Sequence, residues 1–269
     1  MTPATATADA SAAPLYELEG VGFSAARRTI IPGLTLAIAP ARIHGLVGPN
    51  GSGKSTLVRM LARQLDPTGG RLRFMGKAIG EWRAADFARA VAYMPQFTPP
   101  AEGMTVAELV ALGRFPWHGA LGRFTARDRA KVEEALADTG LSGFRDRLVD
   151  RLSGGERQRV WLAMMLAQDA RCLLLDEPTS ALDIAHQAEM LALVRRLSRS
   201  RGLTAVIVLH DINMAAMICD EILALRQGEL MARGAPAAIM NAAVLEALFG
   251  VRMGILPHPA TGRPIGYVE

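Results

Sequence analysis

GPNGSGKST, residues 48–56, lies between the apolar run RIHGLVG (42–48) and an apolar helical pattern, LVRMLARQL (57–65). It fits G-x-x-x-x-G-K-[ST], with Gly48, Gly53, Lys54 and Ser55 in register. Strand, glycine-rich turn and helix in this order make a phosphate cradle. Backbone N–H groups of Gly51, Ser52, Gly53 and Lys54 can wrap phosphates, and the helix start adds a partial positive charge. Lys54 then reaches the β- and γ-phosphates, and the Ser55 hydroxyl is placed to ligate Mg2+. A glycine-rich turn without a ligand is the bland alternative, and the flanking strand and helix count against it.

LLLDEP (173–178) is an apolar strand that ends in two carboxylates. Asp176 is the metal candidate, and Glu177 can face the γ-phosphate and polarise an attacking water. Taken alone, the pair would cap a helix with Pro178 in or near its first turn. His210 closes TAVIVLH (204–210), and Gln96 ends VAYMPQ (91–96). A lone histidine at a strand end is usually a structural hydrogen-bond partner. The carboxyl ends of parallel strands line the ligand crevice, however, so His210 and Gln96 are candidates for the same edge as Asp176.

Expected strands are 15–23, 34–39, 42–48, 71–76, 91–95, 171–177, 204–210 and 221–227. Those at 42–48, 171–177 and 204–210 read as strands buried on both faces of a parallel sheet. Between about 98 and 169 the texture is helical, with a capping box at Thr125 and Asp128 and a stop at Gly140. The fold class is therefore α/β, a nucleotide core with a helical insert.

The 269 residues suffice for a sizeable core. Two cysteines without C-x-x-C spacing point to a reducing compartment. The apolar runs are too short to span a bilayer. MTPATATADASAAP lacks the pattern of a signal or transit peptide, and residues 1–14 read as a disordered tail. A net charge of +4, with only three lysines and no run of five basic residues, gives little reason to expect nucleic acid.

VDRLSGGERQRV (149–160) looks like a second cradle. Ser153 with Glu156 makes an [ST]-x-x-E capping box, which accounts for a helix start but not for Gly154–Gly155. Two glycines weaken a first turn unless backbone must come close to something. The Ser153 hydroxyl and the glycine N–H groups together suit an anion.

GPNGSGKST, Gln96, LSGGERQ, LLLDEPTSALD and His210, in this order, resemble the nucleotide-binding subunit of ATP-binding cassette proteins over about residues 15–250. The resemblance implies a P-loop NTPase core with a mostly parallel sheet, an N-terminal antiparallel β subdomain and a helical insert. It also implies ATP hydrolysis with Mg2+. Residue by residue, it places nucleotide binding at Gly48, Pro49, Asn50, Gly51, Ser52, Gly53, Lys54, Ser55 and Thr56, with Phe23 as the aromatic on adenine. SAARRTII beside Phe23 is longer than the usual pattern. Asp176 ends the second nucleotide motif and ligates the metal with Ser55 and Gln96. Glu177 is the catalytic carboxylate, Gln96 and His210 assist it, and Asp183 belongs to the loop that communicates between two sites. Ser153, Gly154, Gly155 and Glu156 serve the ATP of a second copy, the two copies facing head to tail.

The closer resemblance is to importer subunits for iron-siderophore, haem and cobalamin uptake, above all the ferric hydroxamate (ferrichrome-type) import ATPases. It rests on segments 101–124, 171–187, 208–216 and 253–260. The implied setting is the cytoplasmic face of a bacterial inner membrane. The expected partners are a second copy, a permease and, indirectly, an external substrate-binding protein. Lys54 to Ser153 spans 99 residues, too few for the long coiled coil of a chromosome or repair ATPase. A nucleic-acid-linked ATPase and a regulatory ATP-binding module are the competing readings. Glu177 and His210 count against the latter, and residues 251–269 read as a short extension.

Overall fold

The computed structural model describes residues 13–26, 28–180 and 182–269. Of the tail expected at 1–14, only residues 13 and 14 fall within them. Two compact units emerge, one reaching to Glu81 and resuming from Thr204 to Glu269, the other running from Trp82 to Leu203.

The first unit opens with β1 (Tyr16–Ala25), β2 (Arg28–Ile38), β3 (Ile43–Val47), α1 (Lys54–Leu61), β4 (Gly69–Phe74) and β5 (Lys77–Ala78). The second holds α2 (Ala84–Ala90), β6 (Val91–Met94), α3 (Val106–Leu112), α4 (Phe115–His118), α5 (Ala126–Asp138), α6 (Gly154–Ala167), β7 (Cys172–Leu175) and α7 (Ile184–Arg201). The first unit then continues with β8 (Thr204–Val208), α8 (Ile212–Ile218), β9 (Glu221–Arg226), β10 (Glu229–Gly234), α9 (Pro236–Ile239), α10 (Ala242–Phe249), β11 (Met253–Pro257) and β12 (Pro264–Val268).

In the first unit, β2-β1-β4-β5 form an antiparallel sheet. β2 starts six residues before the expected strand because Pro32 and Gly33, a turn signal in sequence, are absorbed where the register shifts between Val21↔Leu34 and Phe23↔Ile31. Central β3 pairs in parallel with β8 on one side and β9 on the other, and all five of its residues are buried. β10 folds back on β9 through Gln227–Gly228, both with positive φ, a two-residue turn whose twist suits a hairpin. The terminal stretch 251–269 contains the hairpin β11–β12, and Asn213 of α8 both donates to and accepts from the Gly266 backbone, at 3.0 and 2.8 Å.

β3 is not wholly apolar. His44 is fully buried, with Nδ1 2.9 Å from Glu221 Oε2 and Nε2 2.9 Å from the Ala39 carbonyl. Burial alone would push Glu221 up, but hydrogen bonds from His44 and Arg233 bring its carboxyl down to about 2.

In the second unit β6 and β7 pair in parallel, and residues 98–169 carry only helices apart from a bridge between Thr105 and Leu148. Thr125 caps α5 with the expected box, and Gly140 follows its end with φ 70°. Arg114, only 1% exposed, donates from Nε to Asp128 Oδ1 at 2.9 Å and from Nη1 to the Ala167 carbonyl at 2.8 Å. Trp117 donates to the Gln168 carbonyl at 2.7 Å with the Arg89 and Arg114 guanidinium groups over its ring, so this indole anchors the FPWHG stretch.

Burial would raise the Asp128 carboxyl, yet hydrogen bonds from Thr125 and Arg114 lower it from 3.8 to about 2. Asp128→Asn leaves a buried arginine uncompensated and should cost about 3–5 kcal/mol in denaturant unfolding at neutral pH. Because the folded value lies below the unfolded one, the ion pair's contribution is complete above about pH 4 and fades as pH falls through about 2. The stability gap between wild type and variant should therefore narrow over that window.

Candidate nucleotide site

The cradle begins where β3 ends. Gly48 has φ 147°, and a Cβ there would overlap the Leu225 carbonyl of neighbouring β9, so only glycine lets the chain turn at this point. Gly53, φ 95°, stands before α1, whose first turn carries no acidic residue to repel an anion. A Cβ on Gly53 would meet Ile31 Cγ1 at 3.2 Å, and Ile31 is the cross-strand partner of Phe23, which places half-buried Phe23 on the strand pair beside the loop.

Lys54 is buried and its Nζ donates to the carbonyls of Gly48 and Pro49, at 2.8 and 3.0 Å. The lysine thus closes the loop on itself. Ser52 Oγ is buried without a hydrogen-bond partner, and an orphaned hydroxyl inside a ring of glycines fits a phosphate oxygen. Pro49, Ser55 and Thr56 are half-buried, while Asn50 and Gly51 are exposed. The parallel register pairs Leu46 with Val208, so exposed His210 leaves β8 at the same carboxyl edge where Gly48 leaves β3. Asp211, next to it, caps α8 by accepting from Asn213 N and Met214 N.

In the second unit, β6 and β7 end side by side, Met94 opposite Leu175, and Asp176 N donates to the Met94 carbonyl at 3.0 Å. Asp176 is buried at 3% exposure. Gln96 Nε2 donates to Glu177 Oε2 at 2.6 Å, so the residues that follow the two strands meet. Glu177 sits at φ 51°, a left-handed conformation that costs a non-glycine residue about 1 kcal/mol, and its carbonyl accepts from both the amide and the hydroxyl of Ser180. The carboxylates do not cap a helix, because α7 begins only at Ile184 and is capped by Asp183.

Ser153 and Glu156 form the expected reciprocal box at the start of α6. The two glycines behind them differ. Among the described residues, Gly154 has only Leu182 Cδ2 within 4.0 Å of a built Cβ, whereas a Cβ on Gly155 would collide with the His186 ring, 2.5 Å from Cδ2. The sequence signals His186 only locally, through its i,i+3 spacing from Asp183 at the start of α7.

A glycine-rich loop between β3 and α1 in the first unit and a carboxylate pair after β7 in the second are features found in nucleotide-hydrolysing α/β proteins. Residues 31–180 match the family described as ABC transporter, and the chain belongs to that family. It is 42% identical over 240 residues, 89% of each chain, to the achromobactin transport ATP-binding protein of Dickeya dadantii. It is 39% identical over 247 residues, 92% of each, to the iron(3+)-hydroxamate import ATP-binding protein of Bacillus subtilis. Among solved structures, a chain described as belonging to an inward-facing metal-chelate type ABC transporter superposes with a TM-score of 0.82 at 26% identity, covering 95% of this chain and 96% of that one. The chain is an ATPase whose hydrolysis powers transport.

Proposed function

We propose that this chain drives import of ferric siderophores, with ferric hydroxamates of the ferrichrome type as its cargo, from the cytoplasmic face of a bacterial inner membrane. The observation that carries the reading is near full-length likeness to two iron-chelate transport ATPases at similar identity. That similarity supports the class evenly, and the hydroxamate assignment rests on the segments at 101–124, 171–187, 208–216 and 253–260. Haem, cobalamin or another siderophore is the alternative cargo. Among the described residues no helix is long and apolar enough to cross a membrane, in keeping with a peripheral subunit on a permease. An external binding protein would deliver the cargo, and no nucleic acid takes part.

In this reading residues 48–56 bind the ATP phosphates, with Ser52 Oγ donating to one of them, and Phe23 stacks on adenine. Ser55, Gln96 and Asp176 offer a hydroxyl, a carboxamide and a carboxylate, the hard oxygen donors that suit Mg2+. The ion would neutralise phosphate charge. Glu177 takes the proton of the attacking water, Gln96 orients the Glu177 carboxylate, and His210 approaches the γ-phosphate. Ser153, Gly154, Gly155 and Glu156 close on the nucleotide of a second copy, so one isologous contact completes two sites. Closure and reopening would switch the permease between outward- and inward-facing states.

Iron uptake from ferrichrome in cells lacking this subunit tests the cargo. Wild type should restore uptake and Glu177→Gln should not. If neither restores it while both are expressed, the cargo is not a ferric hydroxamate, and haem, cobalamin and other siderophores become the next to assay.

A further inference from the structure

His186 joins two parts of the second unit that lie far apart in sequence. Its Nδ1 donates to the Asp183 carboxylate, 2.8 Å from Oδ1 and 2.9 Å from Oδ2, and its own backbone N–H donates to Oδ1 at 2.9 Å. The side chain is therefore held at the first turn of α7. The ring, pinned there, lies against the backbone of Gly155 in the first turn of α6, close enough that no Cβ fits between them. Among the described residues, the neighbouring Gly154 meets no such obstacle.

We propose that His186 is a positioning residue that locks the first turn of α6 to the Asp183 loop, so that the two parts of one chain facing the second copy move as one piece. The proposal rests on reading Ser153–Glu156 and Asp183 as that facing surface. It assigns Gly155 a role inside its own chain, making room for the imidazole. The ring atoms in the way are Cδ2, Cγ and Nε2, at 2.5, 2.9 and 3.2 Å from a built Cβ, so a methyl at position 155 meets the ring along its whole edge, root included, and has to drive the imidazole off Asp183.

Two measurements on the full chain decide it. In the nucleotide-free protein, the hydrogen-bonded Nδ1–H resonance of His186, assigned by its absence from His186→Ala, should shift or vanish in Gly155→Ala; an unmoved resonance would overturn the proposal. In a Glu177→Gln background, ATP-driven dimerisation should weaken about tenfold or more with Gly155→Ala and recover to within about threefold of His186→Ala when both changes are combined, the non-additivity expected of residues in contact. A double variant no better than Gly155→Ala alone would show that the glycine serves only an external ligand, and the lock would be rejected. If the Glu177→Gln parent fails to dimerise with ATP, the reading of the facing surface fails by itself, while the resonance still decides whether the contact exists.

Discussion

Replacing Glu177 by glutamine should lower steady-state ATP turnover by about 10²–10⁴-fold while ATP binding and ATP-driven dimerisation persist. The loss is chemical. A carboxamide cannot take a proton from water at neutral pH, and positioned general-base catalysis is commonly of this size. The geometry should survive, because the amide oxygen of the introduced glutamine still accepts from Gln96 Nε2, as Glu177 Oε2 does at 2.6 Å. The left-handed backbone at φ 51° is held by Ser180 through the main-chain carbonyl, which the substitution leaves alone. Fast hydrolysis by the variant would remove Glu177 from the role of base. Loss of ATP binding would mean instead that the carboxylate organises the site.

Lys54→Ala should weaken ATP binding itself, by about 2–5 kcal/mol or at least about thirtyfold in Kd, measured by calorimetry in a Glu177→Gln background to prevent turnover. Lys54 is only 5% exposed, and its ammonium is aimed into the loop, where it donates to Gly48 and Pro49. The substitution removes the cation that a polyphosphate needs and also the two bonds that keep the loop curled. Its effect should exceed that of Ser52→Ala, which removes one neutral donor, worth about 1 kcal/mol. Unchanged affinity in Lys54→Ala would refute the assignment of the cradle.

These expectations come from stretches whose chemistry is local, which is why they could be read before any fold was known. GPNGSGKST carries its own turn, helix start and lysine, and β3, β7 and β8 stand out as short, mostly apolar runs whose residues are all buried. What remained hidden depended on partners distant in sequence. Buried Arg114 looks like any surface arginine until Asp128 and the Ala167 carbonyl are brought to it. β10 and β12 are polar or proline-containing edge strands whose pattern is weak, though Gln227–Gly228 carries a hairpin signal. Gly155 is legible as a glycine that needs a reason, but the imidazole a Cβ there would strike belongs to a residue thirty-one positions downstream.

The central position of β3 also governs the order in which the protein can assemble as it leaves the ribosome. Ile43–Val47 is made early, yet both strands that pair with it come from Thr204 onward. At about 5–20 residues per second, its backbone must wait roughly ten to thirty seconds for them. During that interval the whole of the Trp82–Leu203 unit emerges as one continuous stretch. The strand that will carry the cradle thus stays open to premature association for most of synthesis, and slowing translation between residues 48 and 204 should lower soluble yield more than slowing it after 226.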